Sequence, residues 1–325
     1  MKILAKFEVI LAAGTFHSPQ ILILSGIGAS EDLKRLKISQ VVDLQVGKFL
    51  YDHPSFPGII ILTNLTSPFS NFFNPQTFLP VALDFINGKG LMTIANGIEA
   101  LAFIKSQNST TLVDSQPDIE IFSVGAGPQS DFGLAVKYGE RLKDEIYDDW
   151  IKPLEYHPNH TSLMPVSLLH TKSVGFLEIT SKNIFDNPKL TSNFLKEPED
   201  MKMFIEGIRF VEKLIETPPY KAVDAKLYKK PITGCEMHEF GSESYWECAV
   251  RTFTVSLHHQ LGTCKMGSEN DKNSVVNSRL KVIGMKKLRI VDTSVVPAAA
   301  SAHTNALSCM IGERATEFIR EEYGV

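Results

Sequence analysis

Apolar residues recur at helical spacing most clearly between Glu199 and Thr217, where Met201, Phe204, Ile205, Ile208, Val211, Leu214 and Ile215 return every three or four positions. That period predicts an amphipathic helix, and Pro218-Pro219 stops it. Near the start, Phe7 to Gly14 is mostly apolar and ends at a glycine, which reads as a buried strand. Pro19 to Leu24 then reads as a helix capped by Ser18, with proline in its first turn, and Glu31 to Leu36 as a short second one. Strand-like runs follow at Gly58 to Leu62 and at Pro117 to Val124, which alternates apolar and polar. Met164 to Leu169 and Val174 to Ile179 form the next expected strand pair, and Leu288 to Asp292 is an apolar strand. Between these, Ser67 to Phe78 reads as an irregular Phe/Asn/Pro-rich loop and Lys137 to Lys152 as a solvated helix. Helical spacing resumes after His303. The chain has no internal repeat or low-complexity tract.

Composition narrows the class. A chain of 325 residues with 43% hydrophobic and 22% charged residues can bury a sizeable core, as two domains or as one with an inserted lobe. A net charge of -4 gives no reason to expect nucleic acid or an anionic membrane as partner. No apolar run approaches the ~20 residues of a spanning helix. Lys6 and Glu8 interrupt the first apolar segment, so no signal peptide is expected in this chain. Three sequons, at Asn64, Asn108 and Asn159, cluster mid-chain and favour a secreted, extracellular protein. Cys235 and Cys248 flank a short polar segment and either remain thiols or form a bridge, whose loop closure is worth ~3 kcal/mol. A zinc site built from His258, His259, Cys264 and His303 matches no standard ligand spacing, so no metal is expected.

Two stretches carry chemistry. The first is Gly14-Thr15-Phe16-His17-Ser18-Pro19-Gln20-Ile21-Leu22-Ile23-Leu24-Ser25-Gly26-Ile27-Gly28. The second joins His259-Gln260-Leu261-Gly262-Thr263-Cys264-Lys265-Met266-Gly267 to a strand ending in Asp292, then Ser294 to Pro297 and His303. Both resemble signatures of the glucose–methanol–choline (GMC) oxidoreductases, FAD enzymes that oxidise alcohols. Val46 to His53 and Pro188 to Leu195 are similar to further family segments, with departures at Phe49, where the family has Asn, and at Val174, where it has Arg. Gly88 to Phe103 resembles a glycine-rich segment of the insect-type members.

The resemblance implies an α/β fold with two lobes. A partial FAD-binding lobe would come from residues 1–55 and 250–325, and a substrate lobe of antiparallel sheet and helices from 56–249, with the substrate pocket between them. It implies FAD as cofactor, a small-molecule alcohol or sugar as substrate, and a quinone or other electron acceptor. His259 would be the base that takes the hydroxyl proton, and His303 the partner that hydrogen-bonds the substrate oxygen. Pro297 would join strand to helix under the flavin, and Thr304 and Asn305 would point helix N–H groups at its electron-rich edge. Asp292 would contact the ribityl or pyrophosphate region. Cys264 and Cys309 read as small packing residues, and His53 and His258 as structural. The Gly-x-Gly-x-x-Gly fingerprint that cradles a pyrophosphate is absent from the sequence. Two expectations follow: the chain is the C-terminal portion of an FAD-dependent dehydrogenase beginning at an internal or alternative start, or it is a truncated, non-catalytic product unable to hold FAD.

Overall fold

The computed structural model describes residues 4–65, 75–93, 97–107, 109, 116–157 and 159–324. The protein is α/β and divides into two compact units: residues 1–53, 169–196 and 257–325 form the first, and 54–168 with 197–256 the second. Residues 169–196, grouped by the sequence reading with the middle of the chain, thus pack with its two ends.

In the first unit a parallel strand pair, Val9–Leu11 with Leu288–Ile290, brings the ends of the chain together. Val9 and Ile10 are about half exposed, so this is a strand but not the buried one that its composition suggests. The helix that follows spans Gly14–Leu24 and starts five residues before the expected proline start. Pro19 is therefore inside it and has no N–H to give the Thr15 carbonyl one turn earlier. The Thr263 hydroxyl takes that place, donating to the Thr15 carbonyl at 2.6 Å. Ser18, expected as the cap, instead accepts from the Ala13 N–H and donates to Asp292. The core of this unit gathers Leu22, Leu33, Val46, Leu177, Val276 and Ile290, with Phe318 from the C-terminal helix Thr304–Tyr323. Behind it Arg289 is fully buried and paired with Glu8 and Glu322 at 2.6 and 2.5 Å. Its third contact donates to the Arg279 carbonyl.

The second unit is built on an eight-stranded sheet whose neighbours all pair antiparallel. Ile119–Val124 is its hub: it pairs with Ile98–Ile104, with His160–Leu163 and with Val166–Leu168. The helix predicted by the 3.6-residue period is present as Pro198–Ile215, with proline in its first turn. It buries Met201, Phe204, Ile208, Val211 and Ile215, and a side chain at Gly207 would lie 2.4 Å from Val166, so the helix lies directly on the sheet. Each fully buried apolar side chain contributes about 1.5–3 kcal/mol, which makes this one face the main fastening of helix to sheet. Cys235 and Cys248 form a disulfide across a separation of 13 residues. It closes the segment leading into the helix Glu243–Thr252, whose Ser242 side chain accepts from the Tyr245 N–H as N-cap.

Three expectations need correction. Val166–Leu168 pairs with Pro54–Phe56 and Ile119–Ile121, while Phe176–Glu178 pairs with Lys189–Thr191, so the two runs expected to pair do not. Each found a partner more distant in sequence because each belongs to a different unit. Lys137 to Lys152 is a succession of short helical turns, and it buries Tyr147, Trp150 and Ile151 rather than standing in solvent. Most of the expected loop from Ser67 falls outside the described residues, and its end belongs to a helix, Pro75–Ile86.

Replacing Arg289 by methionine would leave Glu8 buried without its cation, while Glu322 keeps its pair with Lys281 at 2.6 Å. The expected loss is about 3–5 kcal/mol, read as a lower urea midpoint, and Glu8→Gln added to Arg289→Met should recover part of it.

Candidate active site

All the site residues named from the sequence lie in the first unit. A short antiparallel ladder sets the histidines. Tyr51 and Leu261 exchange both backbone hydrogen bonds, at 3.0 and 2.9 Å, and the Leu257 N–H donates to the His53 carbonyl at 3.0 Å. Between these rungs His258 takes a left-handed backbone, φ 58°, which turns the next residue inward. Asp52 then fixes that turn. Its Oδ1 accepts from the His53 and His259 N–H groups at 2.8 and 3.0 Å, and its Oδ2 accepts from Gln260 Nε2 at 3.0 Å.

Three imidazoles meet as a result. The rings of His259 and His303 lie edge to face with centroids 4.6 Å apart, and those of His53 and His259 do so at 5.1 Å. His53 and His259 face each other through their Nδ1 atoms at 2.9 Å. His53 is fully buried, and desolvation first, then its histidine neighbours, lower its pKa to about 3. His259 is half-buried, and the same two causes in the same order lower its pKa to about 4. Both rings are therefore neutral at pH 7, each carrying one N–H and one bare nitrogen. A fourth histidine, His170, sits 2.6 Å from the Ser301 hydroxyl through Nε2 and ties down the Ala/Ser turn ahead of His303.

The two sequence signatures interlock at this place. Gly262, Cys264 and Met266 donate their N–H groups to the carbonyls of Thr293, Ser294 and Val295 at 3.2, 2.8 and 2.9 Å. Gly262 has φ 89°, and a side chain there would lie 2.6 Å from the Tyr51 ring; only glycine suits both the backbone and the contact. The Thr15 hydroxyl donates to the Gln260 carbonyl at 2.8 Å and lies 3.0 Å from that of Thr293. Cys264 is fully buried in an apolar setting that pushes its thiol pKa upward, as suits a packing residue.

The residues named for the cofactor are placed as follows. Asp292 Oδ2 accepts from the Gly14 N–H at 3.0 Å and the Ser18 hydroxyl at 2.6 Å, and Oδ1 accepts from the Ser294 N–H at 2.9 Å. Its oxygens are occupied by the chain itself, so it shapes the Gly14 turn. The outer side of that turn is open: nothing lies within 4 Å of a side chain built at Gly14. His303 is the N-cap of the helix Thr304–Tyr323 but makes no side-chain cap, and Asn305 and Ala306 behind it are exposed. That leaves the first-turn N–H groups presented to whatever lies in front. Pro297 lines an apolar depression of about 340 Å³ with Val296, Leu307 and Phe318. Phe49, standing where the family has Asn, has its ring under the Lys265 ammonium, 5.0 Å from the centroid. The flavin end of FAD fits this donor set, with open helix N–H groups beside neutral histidines. For the pyrophosphate end the chain offers the open Gly14 turn but no Gly-x-Gly-x-x-Gly.

Sequence reasoning took His53 as structural and gave no role to Asp52 or His170. The signal for Asp52 and His53 was their adjacency inside a family-like segment; His170 had none, since it acts through a turn 131 positions away.

Two family models described as GMC oxidoreductase match, one over residues 1–55 and one over 171–312. Glucose dehydrogenase [FAD, quinone] of Drosophila melanogaster is 32% identical over 99% of this chain and 48% of that protein. Mitochondrial choline dehydrogenase of Homo sapiens is 30% identical over 97% of this chain and 48% of that protein. A formate oxidase variant of Aspergillus oryzae RIB40 superposes with a TM-score of 0.80 at 24% identity, over 99% of this chain and 55% of that one, which speaks to the fold. The chain spans about half the length of the curated relatives it matches. With both family models matching at the segments that build the histidine cluster, the chain belongs to the GMC oxidoreductase family.

Proposed function

We propose that this chain carries the proton-handling half of an FAD-dependent oxidoreductase acting on the CH–OH group of an alcohol or sugar. The observation that carries the reading is the cluster of His259 and His303, 4.6 Å apart, at the uncapped start of a 20-residue helix. A bound FAD would supply the acceptor for the hydride that leaves the alcohol carbon. Thr304 and Asn305 would hold its electron-rich edge through their N–H groups and the positive end of the helix. His259 takes the hydroxyl proton at Nε2, since its Nδ1 faces His53. His303 hydrogen-bonds the substrate oxygen and sets its distance to His259. The alcohol thus loses a hydride from carbon and a proton from oxygen and becomes a carbonyl.

The finer assignments are part of the proposal. A quinone or other acceptor takes the electrons onward, in keeping with the name of the Drosophila relative. A secreted, extracellular location is supported by the Cys235–Cys248 bridge, a feature of oxidising compartments. Of the sequons, Asn159 is a poor acceptor once folded, because its Nδ2 donates to the Thr63 carbonyl at 3.1 Å and Thr161 is buried. A second reading, a non-catalytic protein that does not retain FAD, is favoured by Phe49, which stands where the family has Asn and lies under the Lys265 ammonium.

The visible spectrum of the purified chain after incubation with FAD and gel filtration separates the two: a retained flavin band supports the first reading and a colourless folded protein the second. In the flavin-loaded protein, His259→Ala should lower alcohol oxidation by at least about 10²-fold, the usual share of a general base, with flavin content unchanged. Unaltered turnover would remove His259 from the base role. The base must be neutral to act, and His259 has its pKa lowered to about 4. kcat/KM should therefore stay level as pH falls from 7 to 5 and fail only as it passes through about 4. An acid limb near 6.5 would contradict the desolvation argument.

A further inference from the structure

We infer that Asp52 is a positioning residue that aims His259, its side chain standing in for a backbone rung that the strand ladder lacks there. The inference rests on the assignment of His259 as base in the proposed function. Its observation is a mismatch in the ladder of the first unit. Tyr51 pairs with Leu261, and the next rung runs from the Leu257 N–H to the His53 carbonyl. Between these rungs one strand has a single residue, Asp52, and the other has three, His258, His259 and Gln260. The longer strand therefore bulges by two residues, a device that re-aims a side chain.

A regular ladder continuing from Tyr51 and Leu261 would reach His53 and His259 two residues on, each giving its N–H to the other's carbonyl. Here the Leu257 N–H has taken the His53 carbonyl at 3.0 Å. Both histidine N–H groups go instead to one atom, Asp52 Oδ1, at 2.8 and 3.0 Å. The other oxygen of the carboxylate accepts from Gln260 Nε2 at 3.0 Å. Asp52 thus holds the bulge at its crest and at its far end, where the Thr15 hydroxyl also donates to the Gln260 carbonyl at 2.8 Å. His258 enters the bulge with φ 58°, a backbone that a residue other than glycine keeps only where its surroundings over-determine it. Asp52 is itself buried, so water does not compete for its oxygens. The direction of the His259 ring therefore follows from a side chain rather than from the sheet. Its edge-to-face approach to His53 and to His303, at 5.1 and 4.6 Å between centroids, depends on that one acceptor.

The test reads ring positions and needs neither flavin nor substrate. The 325-residue chain, labelled with ¹³C,¹⁵N-histidine, is compared with Asp52→Ala and Asp52→Asn by ring-proton Overhauser contacts, with His53→Phe, His259→Ala and His303→Ala used to assign the signals. The natural chain should show contacts from His259 to His53 and to His303, and Asp52→Ala should lose both while remaining folded. Asp52→Asn should keep them, because its Oδ1 still accepts both N–H groups and the Gln260 amide turns over to meet the new N–H. Contacts that persist in Asp52→Ala overturn the inference, as does an equal loss in Asp52→Asn. Should Asp52→Ala fail to fold, exchange of the His259 amide in the natural chain decides. That residue is half-buried, so slow exchange supports the bond to Asp52 and fast exchange overturns it. In the flavin-loaded protein Asp52→Ala should lower kcat/KM about 10²-fold, the usual cost of misplacing a reacting group, and Asp52→Asn should recover most of it. Persistent contacts in Asp52→Ala together with loss of turnover in His259→Ala would refute this inference and keep the base assignment. Lost contacts together with unaltered turnover in His259→Ala would do the opposite.

Discussion

The carboxylate of Asp292 is the fastening on which the rest depends. It gathers the Gly14 N–H, the Ser18 hydroxyl and the Ser294 N–H, so segments 274 to 278 positions apart become one turn. Closing so long a loop costs chain entropy, although the cost grows only slowly with length. The strand pair of Val9–Leu11 with Leu288–Ile290 and the buried cluster around Leu22 and Ile290 offset it. Once Asp292 is in place, the carbonyls of Thr293 to Val295 are set to receive Gly262, Cys264 and Met266. His259 then lies beside His303, with ring centroids 4.6 Å apart.

The same unit treats its buried polar groups in two ways. Arg289 keeps its charge because Glu8 and Glu322 enclose it. His53 and His259 are held neutral by the water they lose on burial and by the histidines around them.

Much of the fold was legible where a periodic pattern coincided with burial on one face. Met201 to Ile215 gave its helix because one stripe of that helix meets a sheet. Val9 and Ile10 misled because apolar composition reports a strand but not which neighbours cover it. Pro19 misled as a helix start because the compensating donor, Thr263, lies 248 positions away from the carbonyl it serves. In the candidate site, His259 and His303 were named through their signatures, and their rings lie 4.6 Å apart. His53 and His170 were not, because each matters through a contact that only folding creates. Asp292 was read as a ligand contact; its carboxylate accepts from Gly14, Ser18 and Ser294 and so also supports a turn.

The hydrogen bond from Thr263 to the Thr15 carbonyl links the two signatures that first identified the chain. Proline at 19 vacates that carbonyl, and the threonine of the second signature occupies it. An ordinary residue at 19 would bring its own N–H to the same oxygen and displace the hydroxyl, leaving Thr263 without an acceptor in a dry interior. Neither position is therefore free to drift by itself. Two motifs that look like separate signatures are the two halves of a single helical turn, and across related sequences the identities at 19 and 263 should be inherited as a pair.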